Sequence, residues 1–133
     1  MKTLIVDDLI ENRKLLGTLL RPYGVCEMAS DGAEAVEMFK AALLEGEPFD
    51  LVLLDIMMPG MNGQEALRQI RQEEADQEVE KGQETVIIMA TALDSPQAVL
   101  QAFFKGGCTD YVSKPIRSEV LFEKLREYRL IVT

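Results

Sequence analysis

The sequence predicts an α/β domain, a doubly wound five-stranded parallel sheet with five helices. Three observations point there. Short apolar runs recur five times, each too short for a helix and closed by turn residues. Between them lie segments whose apolar residues repeat at helical spacing. Strict strand–helix alternation calls for a parallel sheet covered on both faces. At 133 residues the chain fits one domain, residues 1–133, with no internal repeat or linker.

Leu4-Ile-Val6 is the first strand, ending in Asp7 and Asp8. Leu9 to Leu20 reads as an amphipathic helix with Leu9, Leu16, Leu19 and Leu20 apolar and a polar gap at Asn12 and Arg13; Pro22 and Gly24 close it. Val25 to Ala29 is a weaker second strand. Asp31 and Glu34 have the spacing of a capping box, with Val36, Phe39 and Leu43 along one face of the second helix. Leu51-Val-Leu-Leu-Asp55 is the central strand, broken at Pro59-Gly60. Asn62 and Glu65 give a second capping signal, and Ala66, Leu67 and Ile70 line the third helix. From Glu73 to Glu84 the chain is charged and reads as a solvated helix extension followed by an acidic loop.

Thr85 to Ala90 is the fourth strand, ending at Thr91. Ser95-Pro96 opens a fourth helix, which Gly106-Gly107 end. Asp110 to Ser113 is the fifth strand, followed by Lys114-Pro115. Ser118 is expected to cap a last helix carrying Leu121, Phe122, Leu125 and Tyr128. By analogy with other doubly wound, flavodoxin-like sheets the strand order is taken as 2-1-3-4-5.

Composition removes several functions. Apolar residues make up 47% of the chain and there is no tryptophan, an ordinary globular balance. The net charge of −9 disfavours a nucleic-acid partner, which needs a basic face. No apolar run approaches the roughly 18 residues of a membrane span. No signal-peptide pattern precedes the first strand, so a cytoplasmic protein is expected. Cys26 and Cys108 have no CxxC spacing and read as buried hydrophobes in a reducing compartment. There is no histidine, which excludes His-based acid–base catalysis, a Ser-His-Asp hydrolase and a phosphohistidine carrier. Any phosphohistidine must come from a partner.

Ligands of open α/β sheets bind at the carboxyl ends of the strands. In the 2-1-3-4-5 order the first and third strands are neighbours, and Asp7, Asp8 and Asp55 all emerge there. A lone acid closing so apolar a strand makes Asp55 the residue this protein exists to modify. Three carboxylates so close repel one another, and a divalent cation removes the conflict. Mg²⁺ fits, taking oxygen ligands octahedrally and favouring carboxylates plus a phosphate oxygen. Thr91 can donate its hydroxyl to a phosphoryl oxygen, and Lys114 brings a point charge to the same group. A cis Lys114-Pro115 bond, cheap before proline, would re-aim the lysine inward. Each residue has a duller reading: Asp8 as a helix cap, Thr91 as a turn residue, Lys114 as a surface lysine, Tyr111 as core packing. The dull readings weaken together, because the acid pair, the lone acid, the hydroxyl and the lysine end strands one, three, four and five in turn.

Ile5-Val-Asp-Asp8, Leu53-Leu-Asp-Ile-Met-Met-Pro-Gly-Met-Asn-Gly63, Met89-Ala-Thr-Ala92 and Tyr111-Val-Ser-Lys-Pro115 resemble the receiver domain of two-component response regulators, over essentially the whole chain. The resemblance implies that Asp55 is the phosphoacceptor and that Asp8, Asp55 and the backbone carbonyl of Met57 hold Mg²⁺. It implies that Asp7 assists through metal-bound water, that Thr91 and Lys114 clasp the phosphoryl group, and that Tyr111 is an aromatic switch. A sensor histidine kinase or phosphotransfer protein would be the donor. A downstream target protein would read the face formed by the fourth helix, fifth strand and fifth helix, with a phosphorylation-dependent homodimer left open.

The chain would then be a switch with only self-phosphorylation and self-dephosphorylation, not an enzyme acting on a separate substrate. With no effector domain, it either acts alone by protein contact or is part of a larger protein. Two other classes stay in view. An aspartyl-phosphate phosphatase would have a strand ending in Asp-x-Asp, and Asp55-Ile-Met lacks the second acid. A receiver-like interaction module that takes no phosphate typically loses an acid or the lysine. Met57 and Leu93, each two residues past a site residue, would flank the phosphoryl group with apolar side chains and slow its hydrolysis.

Overall fold

The computed structural model describes residues 1–92 and 107–132. Five parallel strands, β1 (Thr3–Val6), β2 (Cys26–Ala29), β3 (Leu51–Asp55), β4 (Val86–Ala92) and β5 (Asp110–Lys114), form one sheet in the order β2-β1-β3-β4-β5. That is the expected order. Four α-helices fall among the described residues: α1 (Ile10–Leu20), α2 (Gly32–Leu44), α3 (Gly63–Asp76) and α4 (Ser118–Glu127). The further helix expected from Ser95 to Gly106 lies outside the described residues.

The sheet has two apolar faces because alternate residues of each strand point opposite ways. Leu4, Val6, Val52, Leu54, Ile87 and Met89 meet the buried faces of α2 (Ala35, Val36, Phe39) and α3 (Ala66, Leu67, Ile70). Their neighbours Ile5, Leu51, Leu53, Ile88, Ala90 and Val112 meet Leu16 and Leu20 of α1 and Leu121 and Leu125 of α4. This double burial explains the unbroken apolar strands, and it leaves only the strand ends for polar chemistry.

Local signals set the starts of α2 and α3. The Asp31 carboxylate accepts from the Glu34 N–H at 2.8 Å, and the Glu34 carboxylate accepts in return from the Ser30 N–H at 3.0 Å. Asn62 accepts from the Glu65 N–H at 3.0 Å. Gly63 opens α3 against the central strand: a Cβ there would overlap the Asp55 carbonyl oxygen and lie 2.7 Å from Ile56 Cα. Only glycine lets α3 begin so near the acceptor's backbone. The Lys114–Pro115 bond is cis, as expected.

α1 ends at Leu20 and the chain tightens into a 3-10 turn, Arg21–Tyr23, that holds Pro22 and ends at Gly24, in line with the expected stop. Three expectations need correction. Leu9 is 52% exposed and sits outside α1, because the helix turns its buried stripe through Leu16 and Leu20 instead. Ser118 is the first residue of α4, not its cap; Arg117 holds the cap position and makes no capping hydrogen bond through its side chain. Glu74, expected on a solvated extension, is 3% exposed. Arg71 accounts for that burial. Its Nη1 meets Glu74 at 2.6 Å and the Thr85 carbonyl at 2.9 Å, and its Nε donates to the Gly107 carbonyl at 2.9 Å. The other Glu74 oxygen accepts from the Thr85 N–H at 2.7 Å. A charged pair thus ties α3 to the entrances of β4 and β5, at the end of the sheet away from Asp55.

Candidate functional site

Strand register brings the acids together. Val6 pairs with Leu54, so Asp7, one residue on, stands level with Asp55. Asp55 pairs with Ala90, which pairs with Val112; Thr91 and Lys114 therefore lie one and two steps beyond the acceptor's level. Asp55 and Asp7 are each 3% exposed, while Asp8 faces solvent. Carboxylate oxygens of all three lie within 4.8 Å of one another.

Lys114 reaches back over this rim. Its Nζ is 2.8 Å from Asp55 Oδ2 and 3.6 Å from Asp7 Oδ2. The Met57 N–H donates to Asp55 Oδ1 at 3.2 Å, and the Met57 side chain is 71% exposed beside it. Burial raises the Asp55 carboxyl above its ordinary range, and Asp7 adds to this; Lys114 and the Met57 N–H offset only part. Burial alone would lower Lys114, but the hydrogen bond and charge of Asp55, with Asp7, hold its ammonium above the ordinary value. The buried acid is thus strained toward neutrality while its half-exposed partner is firmly charged.

The group suits a hard cation. All donors are carboxylate oxygens, the chain has no histidine, and the lysine at the rim pairs with Asp7 and Asp55 but not with Asp8. Asp8 has no hydrogen-bond or ion-pair partner among the described residues. It is not the cap of α1 either: Leu9 holds that position, which removes the duller reading of Asp8.

Thr91 is 2% exposed at the end of β4, beside Ser113 of β5. Tyr111 stands apart from the acid cluster: it pairs with Met89, below the level of Thr91, and is 39% exposed. Lys124 Nζ of α4 lies 6.0 Å from its ring centroid and 3.0 Å from the neighbouring Asp110. Leu93 lies outside the described residues.

Two contributors were not singled out from the sequence. Asn12 and Arg13, read as a polar gap in α1, both bond to Asp7: Asn12 Nδ2 to Oδ2 at 3.2 Å and Arg13 Nη1 to the carbonyl at 2.7 Å. The available signal was polar residues on the first turn of a helix that directly follows the acid pair.

Comparison with known proteins gives one consistent result. The family model described as response regulator receiver domain matches residues 3–126. Chemotaxis protein CheY-3 of Vibrio cholerae is 36% identical over 127 residues, 94% of this chain and 88% of its own. Hybrid signal transduction histidine kinase I of Dictyostelium discoideum is 34% identical over 123 residues, 92% of this chain. The chain spans only 7% of that kinase's length. Among solved structures, that of the Saccharomyces cerevisiae histidine phosphotransfer protein Ypd1 with the receiver domain of its downstream response regulator Ssk1 contains a chain with a TM-score of 0.81 and 30% identity, covering 96% of this chain and 88% of that one.

Proposed function

This chain belongs to the response regulator receiver family, and from that premise we propose that Asp55 accepts a phosphoryl group from a phosphohistidine on a sensor histidine kinase or phosphotransfer protein. The observation that carries the reading is the register that seats a buried acid, level with a second acid, under a lysine 2.8 Å away. An Asp55 oxygen attacks phosphorus; the P–N bond breaks and its electron pair leaves with the donor imidazole, which takes a proton from solvent. Asp8, Asp55 and the Met57 carbonyl would hold Mg²⁺, with Asp7 acting through a bound water. Bound there, the ion supplies positive charge to the phosphoryl oxygens.

Lys114 then exchanges its Asp55 contact for a phosphoryl oxygen, and Thr91 donates its hydroxyl to another. Tyr111 turns inward behind Thr91. The face that includes β5 and α4 changes shape, and a downstream target reads it. Leu9, Ile10 and Leu15 are each more than half exposed, and Ile116 is partly so, which supports a protein donor seated beside the rim. No helix among the described residues is long and apolar enough to cross a membrane. Cys26 and Cys108 are both free, which favours a cytoplasmic setting.

Acetyl phosphate with Mg²⁺, followed by intact-mass measurement, tests the proposal. The expected result is one added phosphoryl group, absent without Mg²⁺ and absent in Asp55→Asn. Rapid consumption of acetyl phosphate without accumulation would indicate a phosphatase instead, and no adduct at all an inert interaction module.

A further inference from the structure

Asp7 is held at three atoms by residues of the turn and helix that follow it. Oδ1 accepts from the Leu9 N–H at 2.9 Å, Oδ2 from Asn12 Nδ2 at 3.2 Å, and the carbonyl oxygen from Arg13 Nη1 at 2.7 Å. The Leu9 carbonyl in turn accepts from the N–H groups of Asn12 and Arg13 at 3.1 and 3.2 Å, so Asp7 and the first turn of α1 form one hydrogen-bonded unit, with Asp8 in the backbone between them.

Asn12 and Lys114 converge on the same atom, Asp7 Oδ2, and both line a cleft of about 380 Å³ with Asp7 between α1 and the Lys114-Pro115-Ile116 turn. Their roles cannot be the same. Lys114 is shared and lies nearer Asp55, so any phosphoryl group on Asp55 draws it off Asp7. Asn12 has no such competing acid among the described residues. A neutral amide also satisfies a carboxylate lone pair without cancelling the charge, where an arginine or lysine would compete with a cation.

We infer that Asn12 is a positioning residue for the cation site: it fixes the Asp7 carboxylate toward the acid cluster whether or not Lys114 is engaged there, while Arg13 fixes the backbone from which Asp8 projects. The inference rests on the phosphoacceptor reading, since only that reading gives the acid cluster a cation to hold.

Mg²⁺ binding without any phosphodonor tests it, by calorimetry and by amide chemical shifts on the full chain. Asn12→Ala and Asn12→Leu should bind Mg²⁺ about tenfold more weakly than wild type, the usual loss when a residue supporting a metal ligand is removed. Asn12→Gln, which keeps a donor, should recover much of the affinity. The unfolding midpoint in metal-free buffer should barely move in any of the three. Asn12→Leu keeps the branching of asparagine at Cγ without its donor, so a folding defect in the alanine variant alone leaves the question answerable. Affinity in both donor-less variants within about twofold of wild type would overturn the positioning role. So would a loss that glutamine does not relieve. A wild-type protein that binds no Mg²⁺ would overturn the phosphoacceptor reading and this inference with it. One that binds Mg²⁺ and takes up phosphate, but is indifferent to Asn12, would overturn this inference alone.

Discussion

Lys114 Nζ lies 2.8 Å from Asp55 and 3.6 Å from Asp7, so two buried carboxylates share one lysine unequally. Burial, reinforced by Asp7, leaves the Asp55 carboxyl above its ordinary range despite that lysine. A carboxyl raised on folding adds stability below its unfolded value, near about 3.9, and that stability is lost as pH rises through the folded value. At neutral pH the ionised Asp55 therefore weakens the metal-free fold. Asp55→Asn should stabilise the protein in chelator at pH 7 by on the order of 1 kcal/mol, or about 4 °C in midpoint. Lys114 keeps Asp7 in that variant, and its side chain is 30% exposed, so water replaces what it loses. The advantage should shrink as pH falls from 7 toward about pH 4, because the raised Asp55 carboxyl takes up its proton before the ordinary carboxylate range is reached. Thermal melts at both pH values decide the matter, and a lower midpoint for Asp55→Asn at pH 7 would contradict the account.

At the opposite end of the sheet, Arg71 makes Glu74 tolerable in the interior. Removing the guanidinium leaves a 3% exposed carboxylate facing only the Thr85 N–H. Arg71→Met should cost about 3 kcal/mol in urea unfolding. Arg71→Lys should rescue little, because one ammonium cannot also reach the Gly107 and Thr85 carbonyls and the Thr109 hydroxyl. Adding Glu74→Leu to Arg71→Met should restore most of the loss. If the double variant is no more stable than the single, the buried charge is not the cause.

These cases show which parts of the molecule could be read from the sequence. The strand order came by analogy, but the residues of the rim were legible because unbroken apolar strands leave polar chemistry to their ends, where Asp7, Asp55, Thr91 and Lys114 stand. The caps at Asp31 and Asn62 were legible because capping is local. Glu74 was not: its burial depends on an arginine three residues back and on the Thr85 and Gly107 backbone just ahead of β4 and β5. Asn12 was missed for a related reason. Helical spacing marks a polar residue as outward-facing, but on the first turn after a strand the outward face of a helix can border the site.

Asp110 supplies a pH test away from the acid cluster. Burial would raise its carboxyl, but the Tyr128 hydroxyl at 2.7 Å and Lys124 at 3.0 Å, with the Tyr111 N–H at 2.8 Å, bring it below the ordinary range. A carboxyl lowered on folding contributes stability above its unfolded value, near about 3.9, that is lost as pH falls through the folded one. Asp110→Asn should therefore destabilise the protein at pH 7 by about 1 to 2 kcal/mol, the worth of charge-assisted hydrogen bonds. The gap from wild type should narrow below about pH 4. Urea titrations across that window read it directly, and a gap that stays constant or widens in acid would exclude the carboxylate as its source.

Met57 is expected to set the lifetime of the proposed aspartyl phosphate. Its N–H is fixed on Asp55 Oδ1, so its side chain, 71% exposed, has to stand in solvent next to the acceptor. Hydrolysis needs a water aligned opposite the Asp55–phosphorus bond, and a thioether offers that water almost nothing to bond to. An amide offers both a donor and an acceptor. Met57→Asn should therefore lose its phosphoryl group several-fold faster than wild type, with unfolding stability unchanged because the side chain packs against little. Leu93→Glu tests the corresponding position after Thr91. Decay is followed by intact mass after acetyl phosphate is removed and Mg²⁺ retained. Unchanged or slower decay in both variants would mean that access of water is set elsewhere on the rim, with Lys114 and Thr91 the next residues to examine.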